Sequence, residues 1–136
     1  MFGSLDISTS ALVAQRTRMD VVAGNVANAF TTRRSDGQAG PFKRHLVLFG
    51  TGDGNGGPGV HVQEVREDPA DGDFVYDPNH PDAIKAGPKQ GYVEYPNVDW
   101  STEMANAMLA SRAYEANIAV MDVTKGMMSA SLRLLA

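Results

Sequence analysis

Three glycines, Gly52, Gly54 and Gly57, stand at the G-x-G-x-x-G spacing that can cradle a dinucleotide's pyrophosphate. That chemistry needs a helix directly after the loop, so that free N–H groups and the helix dipole meet the phosphates. Here Pro58 and Gly59 lead into Val60–Val65, which reads as a strand, and no Walker lysine follows. Asp53 and Asn55 look like the opening of a calcium loop, without the rest of its ligand set.

The three histidines, His45, His61 and His80, are the other candidates for chemistry. His45 and His61 lie on two runs expected to pair as a hairpin, where they would face each other. His80 has Asp77 and Asp82 nearby. No two histidines show the close pair spacing of a zinc site, so solvated or turn histidines are expected. With no cysteine, the chain has no disulfide, thiolate metal site or cysteine nucleophile. Glu64, Glu67 and Asp68 read as a solvated strand end, and no serine sits in a nucleophile elbow. The expectation is a protein with no catalytic constellation, no cofactor and no metal.

The elements that carry these residues fall into three parts. Residues 31–98 hold all seven prolines and all three histidines. Phe42–Phe49 and Val60–Val65 read as strands around a Gly-rich loop at 50–59, and Phe74–Tyr76 and Tyr92–Tyr95 as short extended pieces. The Asp-Pro-Asn-His-Pro-Asp run at 77–82 is a rigid turn, because each residue before a proline is pushed to extended backbone. This is a small β-rich unit set between two helical ends, 1–30 and 99–136, which together make a discontinuous helical assembly domain.

From Trp100 to Ala136 no proline occurs, and Gly126 is the only glycine. Heptad spacing links Met104, Ser111, Ile118, Lys125 and Leu132 in one series, and Ala107, Tyr114, Met121, Met128 and Leu135 in a second. Such a helix reaches roughly 55 Å, too long for the core of a small globule. Asp99, after Pro96, is placed to cap it. The first thirty residues mirror this pattern with Leu5, Leu12, Met19 and Val26, extended by Val22 and Ala29. That helix is expected to begin between Ser4 and Ser10, with Asn25 and Asn28 near its end. Alanine and few charges on the other faces suit close approach by further helices. The fold expected is mainly α, two long antiparallel coiled-coil-like helices joined by a β insertion.

At 136 residues the chain is long enough for one domain with a core, and its formal charge of −4 argues against a nucleic-acid binder. No apolar run approaches the ~20 residues needed to span a bilayer. The N-terminal stretch has no secretory-signal pattern, so export, if it occurs, is expected without a cleaved signal peptide.

Three stretches share a resemblance. Residues 1–12 with 18–33 resemble the N-terminal motif of bacterial flagellar rod and hook axial proteins, including Asn25, Asn28 and Thr31. Residues 77–83 and 91–98 resemble the mid-region of a proximal rod subunit of that family. Residues 103–117 resemble its C-terminal signature, including Arg112, Glu115 and Asn117. Gly24 and Phe30 depart from the family pattern, and the Gly50–Gly59 stretch looks expanded. The resemblance implies a structural subunit of the flagellar basal-body rod, exported through the flagellar type III apparatus and placed where the rod crosses the periplasm. Its partners would be other copies and neighbouring rod subunits, in a helical assembly that transmits torque for motility. The heptad residues Leu5, Leu12, Met19, Val22, Val26, Met104, Tyr114, Ile118, Met121, Met128, Leu132 and Leu135 would form the assembly seam. Two rivals remain: a soluble helical-hairpin adaptor or export-associated binding protein, and an enzyme built on the β unit.

If the chain leaves and re-enters the β unit at one end, near Phe30 and Trp100, the helices run antiparallel. Val26 then sits near Met104 and Leu5 opposite Lys125–Met128. Residues 132–136 overhang and reach a neighbouring subunit.

Overall fold

The computed structural model describes residues 2–36 and 40–135. In chain order the elements are α1 (Phe2–Ala27), β1 (His45–Thr51), β2 (Val60–Glu67), β3 (Phe74–Tyr76), β4 (Tyr92–Glu94) and α2 (Trp100–Leu135). The protein is mainly helical, with a small β insertion between its two long terminal helices.

Helix α1 starts at Phe2, ahead of the expected Ser4–Ser10 window. Two of the hydroxyls in that window do not cap. Those of Thr9 and Ser10 donate to the carbonyls of Leu5 and Ile7 at 2.8 and 2.7 Å, and so sit inside the helix. The helix ends on Asn28. Its side-chain amide donates to the Gly24 carbonyl at 2.9 Å, and its carbonyl oxygen accepts from the Thr31 hydroxyl at 3.2 Å. Among the described residues no non-glycine has a positive φ, so this cap works by hydrogen bonds and not by a left-handed turn. Helix α2 begins on the predicted cap: Asp99 accepts the Thr102 N–H at 3.0 Å and the Thr102 hydroxyl. It then runs 36 residues without a break.

Strands β1 and β2 form an antiparallel hairpin, from His45 opposite Glu67 to Thr51 opposite Val60, with an irregularity at Leu48/Phe49. Backbone bonds from Gly52 to Gly59 (2.8 Å) and Asp53 to Gly57 (3.1 Å) close its loop. Gly59 needs to be glycine twice over. Its φ is 141°, and a Cβ there would lie 2.5 Å from Ser10 Oγ. The loop thus presses on α1, where Ser10 Oγ accepts the Val60 N–H at 3.1 Å. Strands β3 and β4 make a second antiparallel pair, with Tyr76 and Tyr92 edge to face at 5.2 Å.

The helices run antiparallel, since Asn25 near the end of α1 bonds Glu103 at the start of α2. Arg18, two turns earlier on α1, reaches Asn106, one turn later on α2, at 3.0 Å. Both helices rise equally, so counting one for one from Asn25 and Glu103 sets Leu5 level with Val123 and Phe2 level with Gly126. Leu5 therefore lies slightly short of the expected Lys125–Met128. The segment from Met127 to Leu135 runs about 13 Å past the start of α1.

The surfaces that meet are small and polar. On α1 the heptad row is Ser8, Gln15, Val22 and Ala29; Ser8, Val22 and Ala29 are buried. On α2 the sheltered row is Glu103, Ala107, Ala110, Tyr114, Asn117, Met121 and Thr124, and Met128 and Ser131 continue its phase past the start of α1. Ala110 is 0% exposed. Side chains this small let the helix axes come close, and shape-specific packing is left to a few larger groups.

Candidate functional site

One point ties α1, the hairpin and α2 together. Asn25 is 1% exposed and uses its amide as a second peptide group. Its Oδ1 accepts the His45 N–H at 2.8 Å, and its Nδ2 donates to the His45 carbonyl at 2.9 Å. The same Nδ2 donates to Glu103 Oε2 at 3.1 Å. Glu103 Oε1 accepts from Arg44 Nε at 2.8 Å, and Arg44 also faces Asp68 at 3.6 Å. The Glu103 side chain is 1% exposed and that of Arg44 19%. A carboxylate so buried is stable only when paired and hydrogen-bonded, and both conditions hold here.

Away from this hub, α2 carries a second heptad row turned from α1: Leu109, Ala113, Ala116, Val120, Val123, Met127, Ala130 and Leu134. The steps alternate four and three and no member is polar. Leu109, Val120, Val123, Met127 and Leu134 are 59, 51, 63, 64 and 89% exposed. Hydrophobic side chains at a, d spacing along an exposed helix face are what a further helix would cover. The equivalent outward row of α1, including Asp6, Thr9, Val13, Arg16 and Asp20, is largely polar.

Several charged groups of the β unit pair with one another. Asp82 is held below the usual carboxylate range by the Thr32 hydroxyl and the Arg33 guanidinium. Glu67 is held low by Arg34, whose own pKa rises in return, through Glu67 first and Asp36 next. These pairs tie the 31–36 segment to the 77–82 turn and to the end of β2. Thr32, Arg33, Arg34 and Asp82 also line a cleft of about 490 Å³, and each of these charges is already partnered.

The histidines do not converge. The hairpin register sets His45 opposite Glu67 and His61 opposite Gly50, so the expected facing pair is corrected: they lie five positions apart along the ladder. His61 Nδ1 lies 2.9 Å from the Gly52 carbonyl, and His80 Nδ1 accepts the Asp82 N–H at 3.1 Å. Asp53 Oδ1 accepts from the Asn55 and Gly57 N–H groups, both at 2.8 Å, which lowers its pKa. Glu64, twelfth counting from Asp53, sits on β2 opposite Leu48. Among the described residues no three or more potential metal ligands cluster.

Two family models match the ends of the chain. Residues 5–33 match the flagella basal body rod protein family, and residues 89–134 match the C-terminal region of the flagellar basal body rod FlgEFG proteins. Full-length relatives agree. The flagellar basal-body rod protein FlgC of Bacillus subtilis is 42% identical over 98% of this chain and 97% of its own. FlgC of Borreliella burgdorferi is 38% identical over 99% and 97%, and FlgC of Salmonella typhimurium 43% identical over 95% and 93%.

The chain belongs to the FlgC family of flagellar basal-body rod proteins. It is a structural rod protein of the bacterial flagellar basal body, and the adaptor reading is not favoured.

Within this FlgC fold the residues singled out from the sequence divide between faces. Val22 is buried, and Leu5, Leu12, Met19, Val26, Tyr114 and Met121 are half-buried along the helix pair; Met128 is half-buried on the segment past the start of α1. Met104, Ile118 and Leu132 are 37, 41 and 66% exposed and lie one position past the sheltered row of α2. The side chain of Leu135 lies outside the described residues. Of the family-motif residues, Asn25 belongs to the hub, and Asn28 and Thr31 cap α1. Asn117 donates to the Ala113 carbonyl at 2.8 Å, while Arg112 and Glu115 are exposed. Sequence reasoning missed Glu103, Arg44 and the outer row. The outer row was there to find, at a second heptad phase through Leu109, Ala116 and Val123.

Proposed function

We propose that this chain is a proximal-rod subunit that stacks helically through its terminal helices and transmits torque for motility. The helices form the assembly part, and residues 31–98 a β-rich unit set on them. The observation that carries this reading is the exposed apolar row of α2. Covering a Leu, Val or Met that is half exposed gains about 1 kcal/mol, so the five large members together offer about 5 kcal/mol per contact. That is modest for a single pair and large when repeated along a rod. A contact between unlike faces that does not close on itself propagates as a helix. Partners are further copies and neighbouring rod subunits, reached after export by the flagellar apparatus without signal cleavage, in the part of the rod that crosses the periplasm. No helix among the described residues is long and apolar enough to cross a membrane. We read the protein as non-enzymatic and bound to neither nucleic acid nor cofactor.

The chain contains no cysteine, which makes the test clean. Val123→Cys in isolated basal bodies should cross-link to cysteines introduced on the helices of adjacent subunits. Cross-links confined to single chains, with basal bodies intact, would overturn the assignment of this face.

A further inference from the structure

We propose that Glu103 is a register pin: held at once by Arg44 of β1 and Asn25 of α1, its buried carboxylate admits one alignment of α2 against α1 and the hairpin. The rest of the helix seam discriminates poorly between alignments. Its best-buried members are Ser8, Val22, Ala29 and Ala110, small or β-branched groups that recur at sevenfold spacing. A slip of one heptad would bring Ala110 to the place of Glu103 and exchange one small side chain for another in that row, Asn117 for Ala110 and Thr124 for Asn117, while the neighbouring row would set Tyr114 at the place of Ala107. The carboxylate does not exchange. After a slip it would leave Arg44 and Asn25 and be buried without a partner, or Arg44 would face an alanine. A buried polar group whose partners stand in one alignment only is the best-attested device for fixing helix register, because every alternative strands it.

Asn25 extends the same device to the β unit. Its two bonds to the His45 backbone, at 2.8 and 2.9 Å, fix the first residue of β1 against α1. Arg44, the residue before, supplies the cation for Glu103. Hairpin, α1 and α2 are therefore aligned at one point. Everything on α2 is set in height from there, including the outer row from Leu109 to Leu134. That last step rests on the assembly reading above; the register pin itself does not.

The test uses cross-links within one chain, so it reads alignment whether or not rods form. Val22→Cys is paired with Asn106→Cys, level with it by the one-for-one count, and separately with Ala113→Cys, one heptad further. The purified full-length chain is oxidised in an osmolyte that favours burial. The otherwise unchanged chain should link 22 to 106 and leave the 22–113 pair unlinked. The double variant Arg44→Leu/Glu103→Leu removes the ion pair without orphaning either charge. It should keep its helix content and melting temperature. Both cysteine pairs should now link in it, the 22–113 yield rising at least several-fold. Glu103→Gln, which keeps a hydrogen bond to Asn25, should give a smaller rise and serves if the double variant does not fold. A 22–113 yield that stays at the starting level in a helical variant would overturn the pin, even if stability fell.

Discussion

Leu109 and Ala110 are adjacent on α2 and face opposite worlds, so the same substitution at each should separate folding from assembly. Ala110 is 0% exposed against α1, while Leu109 is 59% exposed at the head of the outer row. An aspartate at either position loses helix propensity, about 0.5 kcal/mol. At Leu109 little else changes in the free subunit. At Ala110 the new carboxylate is buried without a cation, which costs about 3–5 kcal/mol in comparable cases. That is a large share of the 5–15 kcal/mol typical of a folded domain. For a chain of this size each kcal/mol moves the midpoint by about 4 °C. Ala110→Asp should therefore melt roughly 12–20 °C lower, and Leu109→Asp within about 3 °C of the parent. In cells the order reverses in meaning. Leu109→Asp puts a charge where a neighbouring helix must pack, and should abolish basal-body formation and swimming while the purified chain stays folded. Circular dichroism melts read the first effect, and electron microscopy of basal bodies with motility plates reads the second. Equal destabilisation by both variants would refute the two-faced description of α2. A swimming Leu109→Asp strain would refute the role of its outer row.

Two further outcomes follow from local geometry. A Cβ on Gly72 would lie 1.6 Å from the Tyr95 carbonyl oxygen and 2.8 Å from its carbon, both backbone atoms. Gly72→Ala must therefore displace the segment that leads from β4 into α2 and cost about 3 kcal/mol or more, against almost nothing for Gly24→Ala, whose Cβ would meet no atom within 4 Å; thermal melts of the two variants check it. Asp99 has its pKa lowered by the Thr102 hydroxyl and then the Thr102 N–H, so its cap stabilises above the ordinary carboxylate range and is lost as pH falls below about 4 through the depressed folded value. Asp99→Asn, which keeps a capping oxygen, should flatten that part of the acid-side melting profile, and an unchanged profile would show that the cap contributes nothing to it.

The long helices were legible because periodicity survives almost any packing detail: no proline breaks Trp100–Leu135, and Asp99 marks its start. The hairpin was legible from two strand-like runs, 42–49 and 60–65, around a glycine loop. Which side of α2 meets α1 was harder to read. Hydrophobicity favours the phase through Met104, Ile118 and Leu132, whereas α1 takes the phase through Glu103, Ala110 and Asn117, one residue earlier. The usual rule puts the largest apolar groups toward the nearest partner. It misleads where a subunit keeps its apolar surface for a later partner. The start of α1 was misjudged for a simpler reason, since Thr9 and Ser10 can spend their hydroxyls on carbonyls one turn back as well as on a cap.

The two faces of α2 follow one logic. A helix that buried Leu109, Val120, Val123 and Met127 against its own α1 would make a firmer monomer and leave nothing apolar for a neighbour. A helix pair with no specific group at all would be free to slide. The seam found here is small enough for close approach, and it is aligned by the buried Asn25–Glu103–Arg44 cluster, a polar device that contributes specificity more than stability. The apolar surface is thereby left outside and held at a defined height, with Met127–Leu135 projecting beyond α1. Exposed hydrophobic surface and a polar interior contact, which would count against a lone globule, are what a subunit requires if its final packing is completed by its neighbours.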